Sequence, residues 1–312
     1  MMNRPSSPGD TASAIVLMLL NAFALSIYYV SLKKLTVGLP PNQATFLCKL
    51  AILICLLPWC FYGGVRKNLA TKKIGLHATR GTFSIMGSLC FTYALANGVR
   101  ITDAVAISFL EHILIVLIGL FYFREKLSHA KMVLLTMGFT GSLFVVKPGF
   151  AEFNYYYLFL FLALIFWAIN NISIKMLSRT EHSKAQIFYA MLFSSALSLP
   201  LAMMEWRALS PEHLKYLSIV ALSYLLHLVA FFRSFKLAEM SIVMPFEYTR
   251  LIFSGILGYI LFSEVPDNYS ILGYLMITFG GVYLLQSRAK KKKSEAQKDQ
   301  KLRALGTEYE QV

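Results

Sequence analysis

The sequence predicts an all-α integral membrane protein, with ten transmembrane helices arranged as two inverted five-helix repeats. Three observations predict it. Of the 312 residues, 57% are hydrophobic and only 15% charged, whereas an ordinary soluble domain carries about 25% charged residues. Apolar runs long enough to cross a ~30 Å hydrocarbon core recur along the chain until position 287. The second half of the chain also repeats the first.

The runs place spans at 12–32, 43–62, 75–97, 102–123, 129–146, 155–176, 185–204, 214–236, 240–262 and 268–287. With both termini inside, about 20 Lys and Arg fall in inner segments and about 6 in outer ones, a strong positive-inside bias. The inner set includes Arg66, Lys67, Arg124, Lys126, Arg179, Lys184 and the tail from Arg288 to Arg303. The net charge of +14 is therefore mostly a topology signal, and no nucleic-acid partner is expected. Residues 1–11 read as a short disordered cytoplasmic lead. Thr11 to Lys34 is about as long as a span and has no small-residue cleavage site after it, so it is not read as a signal peptide. Residues 288–312 form a basic cytoplasmic tail, whose Lys290–Lys293 would attract anionic lipid at ~1 kcal/mol per lysine. Cys48, Cys55, Cys60 and Cys90 all fall within spans without CxxC spacing, as expected of free packing residues.

The repeat is read from a nearly constant offset. Tyr28-Tyr29-Val30-Ser31-Leu32-Lys33-Lys34-Leu35 lines up with Asn170-Asn171-Ile172-Ser173-Ile174-Lys175-Met176-Leu177. The same offset pairs Phe46 with Phe188, Pro58 with Pro200, and Tyr93-Ala94-Leu95-Ala96 with Phe235-Lys236-Leu237-Ala238. After a loop difference of about three residues, Gly119 pairs with Gly258, Glu125 with Glu264 and Gly141 with Gly280. The domains are thus 12–147 and 148–287. Five spans per repeat is odd, so the second copy enters the membrane upside down. Inverted repeats of this kind build secondary carriers whose solute sites lie near the midplane.

Particular residues sharpen this. Arg80-Gly81 opens the third span and Tyr93-Ala94-Leu95 closes it; Ala104 to Phe109 leads toward Gly119 and Glu125. The first repeat ends in Val145-Val146-Lys147-Pro148-Gly149-Phe150, and Pro245-Phe246-Glu247-Tyr248 precedes Gly258 and Glu264 in the second. Over roughly 12–287 the chain resembles the paired EamA domains of the drug/metabolite transporter superfamily, and within it the S-adenosylmethionine uptake carriers of rickettsia-like bacteria. The chain departs from many relatives in carrying Glu111 where they have a proline. The resemblance implies a bacterial inner-membrane carrier that takes up S-adenosylmethionine in exchange for S-adenosylhomocysteine. An amino-acid or drug/metabolite exporter of the same superfamily is the alternative. An enzyme is not expected, because GxGxxG, GxxxxGK, HExxH and GxSxG motifs are absent. No cofactor or metal is expected, since the six histidines do not cluster at ligand spacing.

The candidate site residues come from charge inside apolar runs, which costs roughly 2.5–3.5 kcal/mol per residue near a bilayer centre. Glu247 and Arg250 lie three apart in Met240–Phe262 and share a face with Ser254 and Gly258; Glu111 lies at the repeat-related place in the fourth span. Two readings stay open: these charges satisfy one another, or they hold a zwitterionic solute. Lys49 lies deeper in the second span than a snorkelling lysine prefers, whereas Arg80 is expected to snorkel at the inner side. Tyr28, Tyr93, Trp167 and Tyr248 lie beside Asn170 and Asn171, where an adenine ring would stack. Tyr155, Tyr156 and Tyr157 are expected in the interfacial belt. Pro245, lacking an N–H, is the candidate for a gating bend.

Overall fold

The structure, a computed structural model, describes residues 8–62, 64, 68–111, 113, 114, 117, 128–147, 154–177, 180–238 and 240–309. Among these residues the elements are helical and no strand occurs. In chain order they are α1 Pro8–Gly38, α2 Pro41–Phe61, α3 Ile74–Ala96, α4 Ile101–Ser108, α5 His129–Val146, α6 Tyr157–Leu177, α7 Ser183–Met204, α8 Pro211–Leu237, α9 Arg250–Phe262 and α10 Asn268–Tyr309. Seven of them, α1, α2, α5, α6, α7, α8 and α10, are long and apolar enough to cross a membrane.

Two expected helix bounds need correction. The stretch from Met240 to Phe262 is not one α-helix. A single turn, Met240–Val243, passes into 3₁₀ geometry over Met244–Thr249, and α9 starts only at Arg250. Pro245 sits in that 3₁₀ segment and has no N–H to return to the preceding turn, which removes an α-helical bond where the change occurs. At the N-terminus, residues expected in a disordered lead are already helical from Pro8. Proline suits a first helical turn, and Asp10 complements the positive end of the helix dipole. At the other end the basic tail continues α10 without a break to Tyr309. Most of the second half of the expected fourth span, with His112 and Gly119, and Glu125 beyond it lie outside the described residues.

α1 packs along α8, α3 along α6 and α7, α2 along α7 and α8, α5 along α10, and α9 against α1 and α4. The α5–α10 crossing is close enough to need glycine on both sides. A Cβ on Gly141 would lie 2.8 Å from the Gly273 carbonyl oxygen, so the two backbones touch. Outward faces are apolar, with Ile54, Leu222, Val229, Ile252, Ile256, Leu275 and Phe279 all exposed. In water such a surface would aggregate; against acyl chains it is at home.

Left-handed and extended residues set the helix ends nearest the polar side chains. Ser263, at φ 54, stops α9 in a left-handed turn in which the Glu264 N–H donates to the Gly258 carbonyl at 3.2 Å. Glu264 is thereby aimed back at α1. Pro40 and Arg100, in extended conformation, start α2 and α4.

Candidate functional site

Arg250 is the first residue of α9, and the preceding 3₁₀ turns place Glu247 and Tyr248 beside it. Its guanidinium is buried under aromatic rings: the ζ carbon lies 4.5 Å from the Phe109 ring centroid and 5.9 Å from that of Tyr29. Tyr248 stacks on Phe109 at 4.4 Å. The rings thus flank the cation and leave its N–H groups for polar partners. Those partners are long. Glu247 Oε1 is 3.5 Å from Nη1, Nη2 donates to Ser108 Oγ at 3.4 Å, and buried Nε has no hydrogen-bond partner among the described residues. An arginine that chose its neighbours only to offset burial would be expected to bind a carboxylate bidentately near 2.8 Å.

Glu111 does not pair with Arg250. Its Oε1 accepts from Asn171 Nδ2, although Arg250 and Glu247 both lie within electrostatic reach. The carboxylate therefore has a neutral partner beside a cation it does not touch. Asn170 Oδ1, one residue away, is buried without a partner among the described residues.

An aromatic wall runs outward from the cation. Tyr29 meets Phe91 at 4.9 Å, and Phe91 meets Trp167 at 5.4 Å. Trp167 fits because Gly87 leaves room on α3; a Cβ there would come within 2.5 Å of its indole nitrogen. On the other side Tyr28 contacts Tyr29 and Tyr224, and Tyr224 contacts His227, whose Nδ1 is 2.5 Å from Asn21 Oδ1.

The structure therefore groups Glu247, Arg250, Tyr248, Glu111 and Asn171, and joins Tyr28 and Trp167 to them through ring contacts. Tyr93 is not grouped with them: its ring stacks on Phe159 at 6.1 Å. Lys49 is buried on α2 with only 6% exposure, and no ion pair or hydrogen bond joins it to another described residue. Arg80 does not snorkel. It donates to the Gln186 carbonyl at 2.6 Å, tying α3 to α7. Tyr157 leaves the expected belt and buries its hydroxyl against Asp103 at 2.5 Å, whereas Tyr155 and Tyr156 are exposed. Tyr29 and Phe109, which flank the guanidinium, were not singled out by sequence reasoning. Both are ordinary apolar-run aromatics, and only the position of Tyr29 in the duplicated block marked it.

The sequence model described as the EamA-like transporter family matches residues 12–147 and again 154–286. The chain is 27% identical over 283 residues to the S-adenosylmethionine uptake transporter of Rickettsia prowazekii, covering 91% of this chain and 96% of that protein. It is 24% identical to the riboflavin transporter of Vibrio cholerae, over 88% and 92% of the two chains. To the pseudopaline exporter of Pseudomonas aeruginosa it is 24% identical, over 89% and 97%. A solved crystal structure superimposes with a TM-score of 0.60 at 18% identity, over 89% of this chain and 99% of that one, which is a likeness of fold.

Proposed function

The chain belongs to the EamA-like transporter family, and on that premise we propose that it is a secondary carrier taking up S-adenosylmethionine across a bacterial inner membrane. S-adenosylhomocysteine would leave in exchange. Membership makes it a multi-pass membrane transporter. The solute, the ten spans, the inverted repeat, the cytoplasmic termini and the site residues are our reading.

The family model matching twice supports two repeats. The helix pairs support a two-fold relation between them: under the sequence offset, α1 against α8 is the counterpart of α6 against α3. Likewise α2 against α8 is the counterpart of α7 against α3, while α2–α7 and α5–α10 map onto themselves. The basic tail on α10 would lie at the inner surface, where its lysines meet anionic headgroups.

One observation carries the choice of a zwitterionic solute: a buried guanidinium, flanked by rings, whose polar contacts among the described residues are no shorter than 3.4 Å although two carboxylates are near. A solute carboxylate would take the Arg250 N–H groups, with Lys49 as a second cation. Its ammonium and sulfonium would lie toward Glu247 and Glu111, and its adenine against Tyr28, Tyr248 or Trp167. Purified protein in liposomes should show saturable uptake of labelled S-adenosylmethionine, faster when S-adenosylhomocysteine is preloaded. Absence of uptake rejects the solute. The alternative, an amino-acid or drug/metabolite exporter of the same superfamily, is supported by the relative named a pseudopaline exporter, and the riboflavin transporter supports a different solute. Thermal shifts of the solubilised protein with those solutes would then exceed the shift with S-adenosylmethionine.

A further inference from the structure

A second polar cluster lies at the other end of α9, away from Arg250. Asp103 on α4 has no exposed surface and accepts from Arg100 Nε at 2.7 Å, from Tyr157 Oη at 2.5 Å and from Tyr274 Oη at 2.5 Å. Glu264 takes Lys33 Nζ at 2.5 Å and the Ile101 N–H at 2.8 Å. Arg100 also reaches Ser270 Oγ at 2.8 Å and the Val265 carbonyl at 3.1 Å, and Lys147 pairs with Asp267. Lys33, Arg100, Ile101, Asp103 and Lys147 belong to the first repeat; Tyr157, Glu264, Val265, Asp267, Ser270 and Tyr274 belong to the second. Apart from Arg100 with Asp103, each of these bonds crosses between repeats.

Just beneath, α4 meets α9: a Cβ on Gly255 would lie 3.7 Å from buried Thr102 Oγ1. These two helices also bring Ser108 and Arg250 to the candidate site. Through the Ile101 N–H and Glu264, the cluster ties the start of α4 to the end of α9 at this side.

We propose that the cluster centred on Asp103 and Glu264 is the outer latch of the carrier, closed in this structure and required to open for solute to reach Arg250 from outside. The proposal rests on the carrier reading above. Such bonds are a fitting latch because a charge-assisted set is strong while dry and is replaceable by water once the helices separate.

The test reads access directly. Thr102→Cys, introduced as a reporter, is labelled from outside in liposomes by a membrane-impermeant thiol reagent, with the parent chain as blank for its four native cysteines. Adding Tyr274→Phe, which removes one donor without altering charge, should raise the labelling rate about ten-fold by shifting population toward the open form. Asp103→Asn should raise it further. Unchanged labelling in Tyr274→Phe overturns the latch, whether or not Asp103→Asn folds. Separately, Lys33→Cys with Glu264→Cys, bridged by a reducible bifunctional thiol reagent, should stop S-adenosylmethionine uptake and recover it on reduction. Uptake that persists after bridging overturns the latch. If the wild type moves no S-adenosylmethionine, the carrier's solute is wrong; the labelling result still decides the latch.

Discussion

Two sets of buried charge lie at opposite ends of α9, and they are satisfied very differently. Around Asp103 and Glu264, every oxygen with a named partner is met between 2.5 and 2.8 Å, and the donors come from four helices and a loop. Around Arg250, contacts stretch to 3.4 and 3.5 Å, one nitrogen has no partner among the described residues, and a nearby carboxylate turns to an asparagine. Burial penalises charge in both places, so the difference lies in what completes each set. The first is complete with protein groups alone. On the carrier reading proposed above, a guest completes the second, as a binding site that must release its solute requires. A fully matched guanidinium would have to break strong bonds before it could accept anything.

Substitutions can break this comparison. The largest effect is expected from Arg250→Met, which should lower S-adenosylmethionine uptake by about 100-fold, the usual consequence of losing a desolvated charge contact. Arg250→Lys keeps the charge but not the planar fork and should recover only part of it. The same Arg250→Met protein should unfold, without solute, at a temperature no lower than the wild type, because a poorly matched buried charge has been removed. A clear fall in its unfolding temperature would mean that Arg250 is structural after all.

Asp103→Ala should do the opposite to stability. It leaves Arg100 and two tyrosine hydroxyls facing a void, at a cost of about 3 kcal/mol, read as a lowered unfolding temperature in detergent.

Gly281→Ala comes next. Its methyl group would overlap the Tyr248 hydroxyl, so α10 or Tyr248 must shift, for about 1–3 kcal/mol of overpacking. Weakened solute binding, measured by calorimetry, should accompany it, since Tyr248 stacks on the ring that faces Arg250.

The smallest effect is expected at Asp267, on the half-exposed rim of the latch. Partial burial pushes its carboxyl up, but the Lys147 hydrogen bond, the Ser270 N–H and the charges of Lys147 and Arg100 outweigh it and hold it at about 2. Its contribution to stability is therefore present above the ordinary carboxylate range and is lost as pH falls from about 4 toward 2. Asp267→Asn should change stability by no more than ~0.5–1 kcal/mol at neutral pH, as for other exposed pairs. Its unfolding temperature should depend less on pH in that acidic window.

Much of the architecture was legible because membrane chemistry is one-dimensional. Long apolar runs favour helix in lipid, so most helix positions followed from composition, and the family relationship from two short duplicated blocks and a few glycines and charges. The site was partly legible for the same reason: Glu247, Arg250 and Glu111 stand out in apolar surroundings whatever their partners. Tyr93, chosen by the same logic, packs on Phe159, because depth along a helix says nothing of which way a ring faces. The cluster at Asp103 was not legible. Its members are scattered from Lys33 to Tyr274 and lie near span ends, where charged and tyrosine residues are commonplace.

The sequence by itself determined the all-helical membrane class, the duplication and the presence of charge inside apolar runs, since each depends on the order of residues along one chain. Only the tertiary structure decided how those charges are matched. Pairing distances and the rings flanking the guanidinium depend on which helices cross and how closely glycine lets them approach.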